Sequence, residues 1–274
     1  MNASLISGST ALCLIIGDPV AHSLTPLMHN AAYQALGIPF CMAPARVSEQ
    51  ALVSAVAGIR ALEVRGLAVT MPHKVAICAL LDELDSTAEK IGAVNTVVNN
   101  GGRLIGYNTD WLGVLRPLTR RKDISGARVA VVGAGWAAQA AVYACTRSGA
   151  VVTVLNRTAS KAAQLAESYG ASWKQLTPDL DLSSYDVIIN TTPVGMGALS
   201  AHSPLSRNQI SGHQIIFETI YAPRETFLIK HARSANCTVI TGDEMFVEQG
   251  AAQFELHTGH PAPLQIMQQI LASA

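Results

Sequence analysis

Charge is scarce in this sequence of 274 residues. Asp, Glu, Lys and Arg together make up 14% of the chain, and 19 basic side chains balance 19 acidic ones. A chain without net charge has no overall field that attracts nucleic acid or an anionic membrane surface. The composition therefore indicates a small-molecule partner, with no nucleic acid and no membrane.

Cysteines and long apolar runs are also few. The five cysteines are odd in number and scattered, with no CxxC pair, which predicts free thiols in a reduced protein. The longest apolar runs are too short to cross a bilayer, and the first ten residues carry no basic cluster typical of a signal peptide. His257 and His260 form no recognisable metal-ligand pattern with cysteines or carboxylates, so no metal site is predicted. We expect a cytoplasmic protein.

What the sequence does contain is an alternation of strand-like and helix-like runs, and the length suits two domains. This alternation predicts parallel sheets covered by helices on both faces. The rhythm breaks once, where Asn99-Asn100-Gly101-Gly102 is typical of a hairpin turn. Strands are expected at 13–16, 40–43, 66–70, 128–132, 151–155 and 186–190. Helices are expected at 26–36, 49–59, 75–81, 137–148 and 161–169.

A glycine-rich turn follows the strand expected at 128–132. Gly133 and Gly135 permit a tight turn and the close approach of a pyrophosphate, and Ala138 is the third small residue of the pattern. The helix that begins there offers N–H groups and a favourable dipole to an anion. The alternative is a structural strand-to-helix turn, but the βαβ setting favours a dinucleotide site. Trp136 either lies across the cofactor or packs on the surface.

The end of the next strand bears on the choice between NADP and NAD. NAD-binding units place a carboxylate there for the ribose 2′-hydroxyl, whereas this chain has Asn156-Arg157-Thr158. Arg157 suits a 2′-phosphate, and Lys161 adds a second cation one turn later. We predict NADP as the cofactor; alternatively, Arg157 and Lys161 are solvated. Thr158 is expected to cap the following helix in either case.

Lys74 closes the stretch "GLAVTMPHK", at the mouth of a strand-like run. By pattern alone it is either a solvated surface lysine or an ammonium that transfers a proton to a substrate. The surrounding motifs, in order, are "GDPVAHSLTPLMHNAAY" (17–33), "VTMPHK" (69–74), "IGAVNT" (91–96), "GYNTDWLG" (106–113), "GAGWAAQA" (133–140), "NRTASKA" (156–162), "INTTPVGM" (189–196), "YAPRET" (221–226) and "GDEMFVEQGAAQFELHTG" (242–259). In this combination the chain resembles the shikimate dehydrogenase family, which includes shikimate and quinate dehydrogenases.

The resemblance implies a reversible reduction of 3-dehydroshikimate to shikimate by NADPH, in aromatic amino acid biosynthesis. It places Lys74 and Asp110 in the catalytic site. An ammonium can deliver a proton as the alkoxide develops, and an adjacent carboxylate can orient it.

The resemblance also implies a set of substrate-binding residues. Ser23 and Thr25, in a loop before a helix expected to begin near Pro26, correspond to the site of the substrate carboxylate. The positions that contact ring hydroxyls correspond to Thr70, Asn95, Tyr221 and Gln249. By residue type alone, Thr25 equally suits helix capping, Asn95 a turn and Gln249 a helix surface.

The fold implied is α/β, with a mixed, mainly parallel substrate domain and a Rossmann-like, doubly wound domain for NADP. We expect residues 1–110 and 246–274 to form the first domain and 111–245 the second, in a monomer or homodimer. The chain departs from the family pattern at Thr25, Ala68, Trp136, Glu218 and His257. Thr25 leaves quinate open as a substrate, and one alternative is therefore a quinate/shikimate dehydrogenase that accepts NAD. A second alternative is a non-catalytic relative that binds the ring acid.

Overall fold

The structure is a computed structural model that describes residues 6–273. The chain forms two units. The first runs to Thr109 and resumes at Gln249, and the second comprises Asp110–Glu248. Within residues 6–273, no helix is long and apolar enough to span a bilayer.

Strands and helices alternate along most of the described chain. The strands are β1 (Ala11–Gly17), β2 (Phe40–Arg46), β3 (Gly66–Val69), β4 (Glu83–Leu84), β5 (Thr96–Asn100), β6 (Arg103–Tyr107), β7 (Arg128–Val132), β8 (Val151–Asn156), β9 (Ser172–Gln175), β10 (Val187–Asn190), β11 (Ile215–Glu218) and β12 (Thr238–Ile240). The α-helices are α1 (Thr25–Leu36), α2 (Leu52–Ala61), α3 (His73–Ala76), α4 (Ser86–Ile91), α5 (Asp110–Arg121), α6 (Trp136–Arg147), α7 (Ala159–Ser168), α8 (Phe227–Ser234), α9 (Gly242–Thr258) and α10 (Leu264–Ser273).

The sheet of the first unit has the order β2-β1-β3-β5-β6-β4. β1 pairs in parallel with β2 and β3, whereas β5 runs antiparallel to both β3 and β6. The expected hairpin is confirmed: Gly101 and Gly102 join β5 to β6 with φ angles of 60° and 92°. Positive φ at both turn positions favours glycine. The mixed, mainly parallel sheet agrees with the predicted fold class.

The sheet of the second unit is parallel throughout, in the order β12-β11-β10-β7-β8-β9. Numbered from β7, this is the 3-2-1-4-5-6 order of dinucleotide-binding domains, which bind at the point between β7 and β10 where the order reverses. Along β7, Val129 and Val131 join one buried cluster, and Ala130 and Val132 join another. Both faces of the sheet are therefore covered, and the Rossmann-like prediction is confirmed.

One of two local helix predictions needs correction, and the other is confirmed. The α-helix expected at 75–81 is instead α3, of four residues, followed by a 3-10 turn at Ile77–Leu80. A 3-10 turn rises about 2.0 Å per residue against 1.5 Å in an α-helix, and this brings the chain to β4 in few residues. The helix expected to begin near Pro26 is confirmed: α1 begins at Thr25, with Leu24 at its N-cap.

Candidate active site

Lys74 lies in α3, after β3 and the turn of Thr70, Met71 and Pro72. Only 6% of the surface of Lys74 is exposed. This excludes the alternative that Lys74 is a solvated surface lysine. Its backbone oxygen accepts a hydrogen bond from the N–H of Val94 at 2.8 Å. Lysine is rarely buried unless its charge has a partner, so its burial sets Lys74 apart from an ordinary surface lysine.

His73 fixes the turn that carries Lys74. Its ring is buried, 1% exposed, and its Nε2 lies 2.7 Å from the carbonyl oxygen of Val47. Its backbone N–H donates to the oxygen of Thr70 at 3.0 Å. These contacts give the His73 side chain a structural role in the turn that precedes Lys74.

Asn95 is the centre of a buried hydrogen-bond network in the first unit. Its Nδ2 donates to Oγ1 of Thr109 at 2.8 Å and to Oε1 of Gln249 at 3.3 Å. Its Oδ1 accepts from the backbone N–H of Thr109 at 2.8 Å. Gln249 is 9% exposed, so it does not have the helix-surface position that was its alternative. Asn95 is 1% exposed and lies at a bend before β5. Thr109 is a member of this network that the sequence did not single out.

Ser23 and Thr25 lie at the start of α1. The backbone N–H of Thr25 donates to Oγ of Ser23 at 3.3 Å, and Thr25 is 4% exposed. Because Leu24 occupies the N-cap and no side chain caps this helix, the capping alternative for Thr25 does not hold.

Gly17, at the end of β1, controls the position of Thr70. A Cβ added at Gly17 would lie 2.4 Å from Cγ2 of Thr70, so only glycine permits this approach. Gly17 begins one of the motifs in the sequence. Its contact with Thr70 could not be predicted without knowing that β1 pairs with β3.

The glycine-rich turn of the second unit has the features that a pyrophosphate requires. Gly133 has φ of +119°, and a Cβ there would lie 2.4 Å from Oγ1 of Thr191. Gly135 is exposed and would meet nothing within 4 Å, and no side chain caps α6. Ala138 is fully buried. Thr191 leaves no room for a side chain at Gly133, and Gly135 leaves the backbone open to an anion. Ala138 allows the helix to pack closely.

Arg157 follows β8 and is exposed, as is Lys161 in the first turn of α7. The backbone oxygen of Arg157 accepts a hydrogen bond from Nε2 of Gln175 at 3.1 Å, and Nδ2 of Asn156 donates to the oxygen of Thr158 at 3.0 Å. The backbone is thus fixed while both cations face solvent. Thr158 occupies the N-cap, but its side chain makes no capping hydrogen bond, so the capping prediction is wrong in that respect.

Tyr221 and Asp110 belong to the second unit. The ring of Tyr221 packs on Phe246 with centroids 4.9 Å apart, and burial raises the pKa of its phenol. The hydroxyl therefore stays protonated and can donate a hydrogen bond at neutral pH. Asp110 is the first residue of α5 and is 4% exposed.

No group of three or more potential metal ligands occurs among residues 6–273. His257 is fully buried, and its Nε2 lies 3.2 Å from the carbonyl oxygen of Val97. His260 is exposed. His257 is therefore a core residue, whereas His260 lies at the surface.

Comparisons with known proteins agree over nearly the whole chain. Family models match residues 15–97 (shikimate dehydrogenase substrate binding domain), 118–225 (shikimate / quinate 5-dehydrogenase) and 242–271 (shikimate 5'-dehydrogenase C-terminal domain). A curated relative from Geobacillus kaustophilus, named shikimate dehydrogenase (NADP(+)), is 40% identical over 272 residues, 95% of this chain and 97% of the relative.

Two solved structures are similar in fold and sequence. The shikimate 5-dehydrogenase of Thermus thermophilus in complex with NADP(H) and shikimate has a TM-score of 0.90 and 32% identity, with 96% of this chain and 99% of that chain covered. The shikimate 5-dehydrogenase of Listeria monocytogenes in complex with shikimate and NAD has a TM-score of 0.91 and 32% identity, with 97% and 98% covered. The chain belongs to the shikimate dehydrogenase family.

Proposed function

We propose that this protein is an NADP-dependent shikimate dehydrogenase, an oxidoreductase that acts on a CH–OH group and interconverts 3-dehydroshikimate and shikimate in aromatic amino acid biosynthesis. The observation that carries the proposal is the near-full-length match to curated NADP-dependent shikimate dehydrogenases. The buried Lys74 and the open glycine turn at Gly133 and Gly135 support it.

Bound NADPH supplies the hydride for the reduction. The chain then has to bind the ring acid and manage one proton. We assign the proton to Lys74: its ammonium polarises the substrate carbonyl and delivers a proton as negative charge develops on the oxygen. We assign Asp110 the role of orienting that ammonium. In the oxidation direction, the neutral amine accepts the proton from the hydroxyl.

We assign the ring acid to the domain made of residues 1–110 and 246–274. Ser23 and Thr25 would hold the carboxylate through hydroxyl and backbone N–H groups at the start of α1. Donors and acceptors for the ring hydroxyls would come from Thr70, Asn95, Tyr221 and Gln249. The burial of Asn95 and Gln249, and the hydrogen bond between them, support this assignment because their side chains are already ordered.

We assign NADP to residues 111–245. Gly133, Gly135 and Ala138 would accept the pyrophosphate at α6, with Asn156 and Thr158 shaping the turn that presents Arg157. Arg157 and Lys161 are exposed cations that suit the 2′-phosphate, and the strand end offers no carboxylate to grip a free 2′-hydroxyl. A cytoplasmic location and a monomeric or homodimeric state belong to the same proposal.

The test is to offer the purified protein shikimate or quinate, each with NADP⁺ or NAD⁺, and to follow the absorbance of the reduced nicotinamide. We expect shikimate with NADP⁺ to react fastest, with a preference over NAD⁺ of about 10- to 100-fold from the 2′-phosphate contact. Faster turnover of quinate or of NAD⁺ would select the quinate/shikimate alternative. Binding of the ring acid without any turnover would select the non-catalytic relative.

A further inference from the structure

Glu218 ends β11 as a fully buried carboxyl group, with 0% of its surface exposed. Burial raises its pKa to about 7. A carboxyl in such a place is costly unless its hydrogen bonds are satisfied. Its contacts therefore show whether the fold accommodates the ionised or the protonated carboxyl.

Each hydrogen-bond partner that the structure gives to this carboxyl is a donor. Oε1 accepts from Nδ2 of Asn190 at 2.9 Å and from the backbone N–H of Ile220 at 3.1 Å. Oε2 accepts from the hydroxyl of Thr226 at 2.9 Å. The Thr226 oxygen itself accepts from the N–H of Ile229, so its proton points to Glu218. A carboxylate matches these donors, whereas a protonated carboxyl would bring its own hydrogen against one of them.

Asn190 transmits this contact to the loop after β10. Because its Nδ2 faces Glu218, its Oδ1 is free to accept from the N–H and the hydroxyl of Thr192, at 3.0 and 2.7 Å. The adjacent Thr191 donates its hydroxyl to the oxygen of Val132 at 2.7 Å and lies against Gly133. The carboxyl of Glu218 is therefore connected to the glycine turn through Asn190 and Thr191.

The loop after β11 is held by the same group. Ile220 and Thr226 bracket Tyr221, and both bond to Glu218. The two loops also touch: a Cβ on Gly195 would lie 3.2 Å from Ile220 and 3.4 Å from Thr226. One buried carboxyl thus fixes both loops at the carboxyl end of β10 and β11.

We propose that ionised Glu218 is a positioning residue, which holds the 191–196 loop against the glycine turn and sets the place of Tyr221. This inference rests on the proposed function, because it assigns these two loops to cofactor and ring acid. The residue acts through its neighbours and need not touch either ligand.

The charged groups on the flanking elements pair with one another near the surface. Arg224 pairs with Asp243 at 3.4 Å, and Glu225 pairs with Arg233. On α8, Lys230 and His231 lie against the ring of Phe227. The hydrogen bonds described for Glu218 come from neutral donors, so a pH response of the two loops is expected to follow Glu218 itself.

The test is amide hydrogen exchange of the ligand-free full chain at pH 6 and pH 8, corrected for the intrinsic exchange rates. A group that titrates near pH 7 is about ten times more ionised at the higher pH. We therefore expect amides in 191–196 and 219–226 to lose about tenfold in protection at pH 6, while β7 amides keep theirs. Glu218→Gln should show the low protection at both pH values, because its amide adds a donor where an acceptor is needed.

Glu218→Asp is the matched control, since it keeps the charge on a shorter side chain. We expect it to retain most of the loop protection at pH 8 and to bind NADPH, followed by fluorescence titration, more tightly than Glu218→Gln by about tenfold. Equal exchange of wild type and Glu218→Gln, or equal loss of protection in β7, would overturn the proposal. Exchange does not depend on turnover, so a protein that lacks dehydrogenase activity but shows this pattern would refute the function and leave the positioning role standing.

Discussion

Nδ2 of Asn95 donates a hydrogen bond to Oε1 of Gln249 at 3.3 Å, across 154 positions of sequence. A second bond from the same helix supports the first: Nε2 of Gln253 donates to the backbone oxygen of Asn95 at 2.9 Å. The later part of α9 is thereby attached to the segment before β5. Two of the proposed ring-binding side chains are ordered by each other before any ligand arrives.

Gln249→Ala should weaken substrate binding more than it slows the chemical step. The change removes a donor and acceptor from the ring site and deprives the buried Asn95 amide of a partner. We expect KM for shikimate to rise about tenfold, with a loss of about 1 kcal/mol in the free energy of unfolding. Steady-state kinetics and urea unfolding measure both. Gln268→Ala, an exposed glutamine of the same unit, is the control, and an equal effect in both variants would contradict the assignment.

Lys74→Ala should lower kcat by about 100-fold or more, the range typical of a lost acid or base, while substrate affinity falls less. Asp110→Asn should act on the same step, so the double variant should be far from additive. The measurement is kcat and KM for the wild type, both single variants and the double variant. Lys90→Ala, at an exposed lysine, controls for loss of a charge, and additive effects of Lys74→Ala and Asp110→Asn would separate their roles.

Arg157→Ala should raise KM for NADP⁺ and leave KM for NAD⁺ nearly unchanged, because only NADP⁺ loses a charge-assisted contact. Such a contact is worth about 1.5–3 kcal/mol, or about one to two decades of affinity. Lys161→Ala should act in the same direction with a smaller effect, since a flexible point charge is less well oriented. Lys122→Ala is the control, because it removes a cation near the amino ends of β7 and β10, where it pairs with Asp186. If Arg157→Ala weakens both cofactors equally, the phosphate role is wrong.

Two buried histidines should make stability fall in acid. Burial lowers the pKa of His257 to about 4 and that of His29 to about 3. From about pH 6.5 down to about pH 4 for His257 and about pH 3 for His29, the unfolded chain binds a proton at the ring and the folded chain does not. In that window each ring costs about 1.4 kcal/mol of stability per pH unit. Glu218 opposes them between its ordinary value of 4.5 and about 7, because there the folded state binds the extra proton.

His257→Gln isolates one of these contributions. Glutamine cannot titrate but can still donate to the oxygen of Val97, which His257 approaches. We expect the slope of unfolding free energy against pH, measured by urea unfolding between pH 5 and pH 7, to become less steep by about one proton. His260→Gln, at an exposed histidine, is the matched control variant. An unchanged slope in His257→Gln would show that this ring is not kept neutral by burial.

The parts of this fold that follow local rules were predictable from the sequence. The parallel sheet around β7 followed from buried strands that alternate with helices, and the roles of Gly133 and Gly135 followed from their place after a strand. The burial of Lys74 was not predictable from pattern, because an isolated lysine after a strand is usually solvated. It was expected only through the resemblance of the surrounding motifs.

Long-range packing explains the residues that the sequence did not indicate. A Cβ at Gly66 would lie 2.4 Å from the ring of His257, a contact between positions far apart in the chain. Likewise, Thr109 acquires its role only because Asn95 and Gln249 meet beside it. The residue types alone could not identify these pairs, since each is common on protein surfaces. Their meaning depends on which segments the fold brings together.

The most direct measurement is the reduction of 3-dehydroshikimate by NADPH, with the product separated and quantified, in the wild type and in Lys74→Ala. The wild type should form one shikimate for each NADPH oxidised, and Lys74→Ala should do so about 100-fold more slowly while still binding the ring acid. Failure of the wild type to form shikimate, or product formation by Lys74→Ala at the wild-type rate, would contradict the assigned reaction or the role of its lysine.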